Sequence, residues 1–183
     1  MEFSGNSARE NLLDVRNWVQ ELAQANSSHL HVLDVGAGMG AYYDALQHVQ
    51  GIQRFDAVEV WEPSIITYNL PEKYDMVYAN DVRKMSPLLW AEWDLVIFGD
   101  VLEHLSVEEA IEVFNRAYNG SQYVLVSVPN SPYPQGALEG NHAEEHLILD
   151  PLRELMPHLP EPMEVWHYPV TDTLIYSKAF NEE

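Results

Sequence analysis

The chain of 183 residues contains no cysteine, which excludes disulfide bonds, thiolate metal sites and a cysteine nucleophile. Basic residues are scarce, because 9 Lys and Arg stand against 29 Asp and Glu and give a formal net charge of −20. Since this charge repels phosphate backbones, we expect no direct binding of nucleic acid. No apolar run approaches membrane-spanning length, and the first residues lack the basic and apolar regions of a signal peptide. We therefore expect a cytoplasmic protein without a membrane partner.

The residues that are present are typical of a globular protein, with 46% hydrophobic and 21% charged. The length suits one domain, large enough to bury about 70% of the surface of the unfolded chain. The sequence contains no internal repeat, low-complexity tract or linker. We therefore expect residues 1–183 to form a single domain, whose oligomeric state the sequence leaves open.

A glycine-rich segment, His31 to Gly40, organises the rest of the chain. It begins as a short apolar run that carries one acid, Asp34, and it ends in glycines at alternate positions. This pattern predicts a buried parallel strand followed by a loop whose backbone can approach a ligand closely. The candidate ligand-binding residues of the loop are Gly36, Ala37 and Gly38. The same residues also fit a dinucleotide fingerprint, so glycine spacing alone leaves the cofactor open.

A second acid is expected at the same edge of the sheet. Glu59 closes the next predicted strand, about 20 residues beyond the loop, where a carboxylate can accept hydrogen bonds from both ribose hydroxyls. Val60 and Trp61 follow it and offer apolar and aromatic surface to an adenine ring. A solvated strand end is the alternative interpretation of Glu59.

Periodicity and turn residues predict the remaining elements. Helices are expected over about 7–25, 41–49, 88–92, 107–118 and 150–159, and strands over 54–59, 74–79, 95–98, 123–128, 163–168 and 173–177. Ser106 and Glu109 form a capping box at the start of the fourth helix. Residues 129–146 form a long segment rich in proline and glycine, which we expect to lie over the cleft. Within it, residues 132–140 are predicted to be the most mobile and to become ordered on ligand binding.

Two segments resemble motifs of class I S-adenosylmethionine (SAM)-dependent methyltransferases. Residues 33–40, LDVGAGMG, are similar to motif I, in which the strand acid anchors the loop or the amino-acid end of SAM. Residues 93–105, WDLVIFGDVLEHL, are similar to motif IV of the ubiquinone-pathway type and include Gly99, which we assign to the cofactor site. The resemblance places Asp81 and Val82 against adenine, although an Asn-Asp pair is also ordinary turn chemistry.

The resemblance implies a fold as well as a cofactor. The implied fold is a Rossmann-like, doubly wound sheet of seven strands in the order 3-2-1-4-5-7-6, mostly parallel with an antiparallel edge strand. The implied cofactor is SAM, and the whole chain is covered by the resemblance. No room is left for a separate domain that binds the acceptor.

Candidate catalytic residues follow the fourth strand and the long segment. They are Asp100, His104 and His146, with Glu103, His142 and Glu144 nearby in sequence. We expect the rings of His104 and His146 to bracket the acceptor, since a hydroxyl acceptor must lose a proton. Glu103 and His104 are expected at the start of the helix that follows.

The same residues resemble a metal-binding motif of 3′-terminal small-RNA methyltransferases. The resemblance places Asp100, Glu103 and His104 on an E-x-x-E-H motif and His146 on a distant ligand. Asp100 is shorter than the glutamate of that motif, and the net charge of −20 is unsuited to an RNA enzyme. A divalent metal is therefore possible but not expected.

We predict a SAM-dependent methyltransferase acting on an oxygen or nitrogen of a small molecule or sugar. The long loop, residues 128–136 with Gly140, Asn141 and His146, resembles that of short phage-encoded methyltransferases, which is compatible with such acceptors. The alternatives are a catalytically inactive SAM-binding regulatory or assembly subunit, a metal-dependent RNA 2′-O-methyltransferase and an NAD-dependent oxidoreductase.

Overall fold

The computed structural model describes residues 9–26, 29–138 and 140–181 and contains one seven-stranded sheet. The strands are β1 (Leu30–Val35), β2 (Ile52–Glu59), β3 (Met76–Ala79), β4 (Leu95–Gly99), β5 (Tyr123–Pro129), β6 (Glu164–His167) and β7 (Thr171–Ser177). Their order is β3-β2-β1-β4-β5-β7-β6. Strands β1 to β5 pair in parallel, and β7 runs antiparallel to both of its neighbours. The predicted fold class is confirmed.

The helices of the described chain are α1 (Leu12–Ala25), α2 (Ala41–Leu46), α3 (Glu62–Thr67), α4 (Val107–Gly120), α5 (Pro151–Glu154) and α6 (Lys178–Asn181). A 3-10 helix over Arg9–Asn11 precedes α1, and the first two residues of the predicted helix lie outside the described ranges. The first crossover helix is three residues shorter than predicted. Within these ranges no helix is long and apolar enough to cross a membrane.

The core has two layers because buried strands pack on both faces. Leu95 and Ile97 of β4 belong to an apolar cluster with the buried side of α1. Val96 and Phe98, which alternate with them, belong to a second cluster with the buried side of α4. The two-residue period of a strand therefore sends β4 into both cores, as a doubly wound sheet requires.

The capping box that starts α4 is confirmed. The Ser106 hydroxyl accepts a hydrogen bond from the Glu109 amide at 3.3 Å, and Glu109 Oε2 accepts one from the Ser106 amide at 3.1 Å. Because the box sets the start of α4 at Val107, the expectation that Glu103 and His104 begin this helix is wrong. They lie in a separate 3-10 helix, Leu102–His104, and the chain is extended at Leu105 before the cap.

Two other predicted helices are wrong in type or length. The predicted helix over 150–159 consists of the single turn α5 and a 3-10 helix over Met156–His158. Pro157 interrupts it, since proline has no amide hydrogen and disfavours helical geometry in the residue before it. The predicted helix over 88–92 is a 3-10 helix, Pro87–Glu92.

Candidate cofactor and acceptor site

The glycine loop follows β1 and lies at the carboxyl edge of the sheet. Gly36, Gly38 and Gly40 have φ values of +69°, +52° and +84°, a region that side chains rarely occupy. The Gly36 amide donates to the carbonyl of Val58 at 2.8 Å, which ties the loop to β2. A Cβ atom at Gly36 would lie 2.5 Å from Cγ2 of Val101, so the turn after β4 fills the space that glycine leaves. Ala37 is buried.

Glu59 lies at the end of β2 with a side chain that is 6% exposed. Its Oε2 accepts a hydrogen bond from the Gly38 amide at 2.8 Å, and its Oε1 accepts one from the Trp61 amide at 2.7 Å. Burial raises the pKa of Glu59, and these two bonds oppose the shift. Because each carboxylate oxygen carries two lone pairs, both can still accept a hydroxyl. Val60 is exposed and Trp61 is partly exposed beside it.

Asp34 is buried in β1, and its partner was not predicted. The Tyr74 hydroxyl donates to Asp34 Oδ2 at 2.6 Å. Burial raises the pKa of Asp34 to about 7, the bond from Tyr74 opposes the shift, and the charge of Glu59 adds to it. No feature of the sequence pattern indicated Tyr74, which was placed in the third strand but lies before β3, packed on Tyr43 and Phe55.

Asp81 follows β3 and has the turn role that the sequence left open. Its Oδ1 accepts from the Arg83 amide at 3.0 Å and caps a short 3-10 helix, Val82–Lys84. The Arg83 guanidinium also pairs with Asp81 at 2.7 Å and holds the pKa of that carboxyl below its usual range. Val82 is buried in the core. A contact of either residue with adenine stays a prediction.

Gly99 and Asp100 form the turn that ends β4. A Cβ atom at Gly99 would lie 2.1 Å from a ring carbon of Tyr42, so close packing accounts for this glycine. Asp100 has a φ of +55°, and its amide donates to the carbonyl of Ser127 at 3.0 Å. The Ser127 hydroxyl donates to Asp100 Oδ1 at 3.2 Å. A left-handed residue other than glycine costs about 1 kcal/mol, and this cost at a turn beside the cleft is typical of functional sites.

His104 and His146 come together as predicted, but they touch each other. Their ring centroids lie 4.8 Å apart with an interplanar angle of 70°. No acceptor fits between rings in edge-to-face contact, so the expectation that they bracket the acceptor is wrong for this structure. The cause is the end of the long segment, at residues 146–148, which places His146 against the turn after β4.

Backbone hydrogen bonds attach that segment to the turn. The amides of Leu147 and Ile148 donate to the carbonyl of Glu103 at 2.9 and 3.0 Å. The amide of His146 donates to the carbonyl of Gln135 at 2.9 Å, and the Gln135 side chain donates to the carbonyl of Glu144 at 2.8 Å. The predicted mobility of residues 132–140 stays a prediction.

Burial favours the neutral form of both imidazoles. Burial lowers the pKa of His104, and bonds to backbone carbonyls oppose the shift. Burial also lowers the pKa of His146, and the neighbouring His104 lowers it further. His104 Nδ1 lies 3.2 Å from the carbonyl of Glu145, and His146 Nδ1 lies 2.6 Å from the carbonyl of Tyr133. A carbonyl only accepts, so these contacts place the hydrogen of His146 on Nδ1 and leave the lone pair on Nε2. The ring of His104 also has the carbonyls of Asp100 and Glu144 among its partners.

Glu103 was predicted to lie near the other catalytic candidates, but its complete burial was not predicted. The side chain is 0% exposed, and neither carboxylate oxygen has a hydrogen-bond partner among the described residues. Burial raises the pKa of Glu103 well above its usual range, and the charges of Asp100 and Glu144 raise it further. Burial also raises the pKa of Glu144. The surroundings of Glu103 are thus acidic, and Glu103 itself is unpaired among the described residues.

The sequence matches no protein-family model and no curated protein. Solved structures do match. The N-terminal domain of EvdMO1 was crystallised in the presence of S-adenosylhomocysteine (SAH) and D-fucose. It is 17% identical to this chain, with a TM-score of 0.62 over 96% of this chain and 87% of that one. Magnesium protoporphyrin IX methyltransferase from Synechocystis PCC 6803 with bound SAM is 16% identical, with a TM-score of 0.59 over 91% and 77%.

A third neighbour is 1,6-didemethyltoxoflavin-N1-methyltransferase from Burkholderia thailandensis with bound 1,6-didemethyltoxoflavin and SAH. It is 20% identical, with a TM-score of 0.58 over 93% of this chain and 86% of that one. Two of these three proteins are named methyltransferases, and all three were crystallised with SAM or SAH. The chain therefore has the Rossmann-like fold of class I SAM-dependent methyltransferases.

Proposed function

We propose that this chain is a SAM-dependent methyltransferase acting on an oxygen or nitrogen of a small molecule or sugar. The observation that carries the proposal is the position of Glu59. Its carboxylate lies at the end of β2, within 2.8 Å of the Gly38 amide of the loop that follows β1. In doubly wound sheets, ligands bind at this carboxyl edge, where the chain turns to opposite sides of the sheet.

The residues of the cofactor end have complementary roles. Glu59 accepts the ribose hydroxyls, the loop of Gly36, Ala37 and Gly38 approaches the ligand closely, and Asp34 supports the loop from below. Val60 and Trp61 offer a partly exposed apolar surface for adenine. SAM supplies a methyl group on a positively charged sulfur, so the remaining task of the protein is to align an acceptor with that methyl group.

The acceptor end consists of Asp100, His104 and His146, beside the carboxyl ends of β4 and β5. A hydroxyl acceptor must lose a proton, and neutral imidazoles with a lone pair on Nε2 suit this chemistry. The acceptor lies beside the imidazole pair, since the rings are in contact. One solved neighbour was crystallised in the presence of D-fucose and another has bound 1,6-didemethyltoxoflavin, which supports a sugar or small heterocycle as acceptor.

The cofactor is tested by calorimetric titration of the protein with SAM and with NAD. Binding of SAM but not NAD is expected, and the reverse result would contradict the proposal. Turnover with a pool of small hydroxyl and amino acceptors then separates an enzyme from a SAM-binding subunit without catalysis, because only the enzyme releases SAH.

His146→Ala tests the acceptor end. We expect turnover to fall at least about tenfold while SAM affinity changes less than about twofold, because His146 serves the acceptor. The matched control is His142→Ala, whose side chain is exposed on the same segment. Equal turnover by the two variants would remove His146 from the site.

A further inference from the structure

Three side chains at the acceptor end converge on one point. One ligand atom from each of Glu103, His104 and His146 lies within 4.8 Å of the other two. Two of these residues come from the turn after β4, and the third comes from the segment that is hydrogen-bonded to that turn. The cluster therefore joins two parts of the chain that are about 40 residues apart in sequence.

Glu103 has no counterpart for its charge in the described chain. Both of its oxygens are buried and lack hydrogen-bond partners. A buried carboxylate without a partner costs several kcal/mol, so such groups are normally paired, bound to a metal or protonated. No lysine or arginine is paired with Glu103 among the described ion pairs, and the nearby acids Asp100 and Glu144 add negative charge.

The two imidazoles are oriented as metal ligands are. Each donates its Nδ1 hydrogen to a backbone carbonyl, His104 to that of Glu145 and His146 to that of Tyr133. This arrangement favours the tautomer that leaves the Nε2 lone pair for a ligand bond. Metal-bound histidines almost always have such a second partner, which holds the ring in place.

We propose that Glu103, His104 and His146 together bind one divalent transition-metal ion. Two imidazoles and one carboxylate favour Zn²⁺, Mn²⁺, Fe²⁺ or Co²⁺ over Mg²⁺, which prefers oxygen ligands throughout. Three protein ligands leave at least one coordination position open. The proposal rests on the proposed function only for the statement that the metal site lies at the acceptor end. With the ion bound, the two imidazoles would act as metal ligands and could not accept a proton from the acceptor.

The distances require a small adjustment on binding. Ligand atoms about 2.1 Å from one ion lie about 3 to 4 Å from each other, somewhat closer than the 4.8 Å limit observed here. His146 can supply the movement, because it lies outside any helix or strand. From the sequence we expected no metal, and the resemblance that suggested one placed Asp100 among four ligands. Asp100 is not a member of this cluster.

The test is calorimetric titration of the chelator-treated protein with MnCl₂, ZnCl₂ or CoCl₂. We expect one equivalent to bind in the micromolar range. Glu103→Gln and His146→Ala should each weaken binding at least about tenfold. The control is His142→Ala on the same segment, whose exposed side chain lies outside the cluster and which should bind like the unaltered protein.

Thermal unfolding gives a second measurement that does not need an acceptor. The ion should raise the Tm of the unaltered protein and leave that of Glu103→Gln unchanged. In chelator, Glu103→Gln should be at least as stable as the unaltered protein, because an amide is less costly to bury than an unpaired carboxylate. If this variant fails to fold, His146→Ala makes the same comparison of Tm with and without ion.

Two results would overturn the proposal: no binding by the unaltered protein up to millimolar metal, or unchanged affinity in Glu103→Gln. SAM titration in chelator separates this failure from failure of the proposed function. If SAM binds and methyl transfer continues without metal, the metal site is refuted and the methyltransferase stands.

Discussion

The two halves of the proposed site, one assigned to the cofactor and the other to the acceptor, differ in how completely their carboxylates are paired. In the cofactor half, Glu59 accepts two backbone amides, Asp34 accepts the hydroxyl of Tyr74, and Asp81 pairs with Arg83. In the acceptor half, Glu103 is buried with both oxygens unpartnered among the described residues. The carboxylates proposed for the cofactor half are thus paired within the described chain, whereas Glu103 is not.

The difference extends to the elements that carry each half. The cofactor residues end regular parallel strands, and their positions follow from the register of β1 with β2. The acceptor residues lie on a 3-10 helix and on a segment without a helix or strand. Because irregular segments open at lower free energy than strands, ligand binding is expected to change the acceptor half more.

The largest effect that we predict concerns Asp34. It would show whether a paired carboxyl group in the cofactor half still destabilises the folded protein when it is ionised. Its pKa is about 7 in the folded state and about 3.8 unfolded. A raised pKa means that the folded state holds the proton more tightly, so this stabilisation is complete below pH 4 and is lost as pH rises past 7. The loss is up to about 4 kcal/mol. Urea unfolding from pH 5 to 8 should show this decline, and Asp34→Asn should remove it.

Asp81→Asn is the matched control for that measurement. The pKa of Asp81 is lowered by Arg83, so its charge does not change above pH 5 and the decline should persist in this variant. A constant difference in unfolding free energy between Asp34→Asn and the unaltered protein across the pH range would contradict the prediction. Tyr74 retains an acceptor in Asp34→Asn, because the amide oxygen replaces Oδ2.

A smaller effect tests whether the two halves are in contact. Gly36→Ala should lower the free energy of unfolding by about 3 kcal/mol, the sum of a left-handed alanine and a Cβ atom 2.5 Å from Val101. Gly38→Ala has a similar φ, but its nearest neighbour would be 3.8 Å away, so we expect only about 1 kcal/mol. Equal losses of unfolding free energy in the two variants, measured by chemical denaturation, would show that Val101 moves aside at little cost.

The smallest effect concerns cofactor affinity. Glu59→Ala should weaken SAM binding by about 1–3 kcal/mol, since it removes the ribose acceptor and leaves two amides unpaired. The control is Glu62→Ala, an exposed acid in the first turn of α3, which should change affinity less than twofold. Unchanged SAM affinity in Glu59→Ala, with the fold intact by circular dichroism, would exclude Glu59 from the site.

The features predictable from the sequence are those that local rules control. The glycine loop, the acid at the end of β2 and the capping box at Ser106 each depend on a few neighbouring residues, and all three occur where expected. The sheet order follows from the resemblance to a family. Each of these predictions needed no knowledge of which distant side chains would meet.

The features that were missed depend on contacts between distant parts of the chain. Tyr74 reaches Asp34 across 40 positions. His104 and His146 were expected at one site but on opposite sides of an acceptor, whereas their rings are in direct contact. The isolation of Glu103 is also a tertiary property, since it requires that no basic side chain approaches from any packed element. The broken helix at Pro157 is different, because proline chemistry predicts that interruption and the apolar spacing alone obscured it.

The contact between Gly36 and Val101 limits how this protein can evolve. Val101 fills the space beside Gly36, so a side chain at position 36 requires a smaller residue at position 101. A larger residue at position 101 has no compensating change at position 36, because glycine has no side chain to reduce. Libraries that vary the turn after β4 to accept new substrates should therefore hold Val101 fixed. Otherwise, many variants selected for acceptor choice would lose cofactor affinity for purely steric reasons.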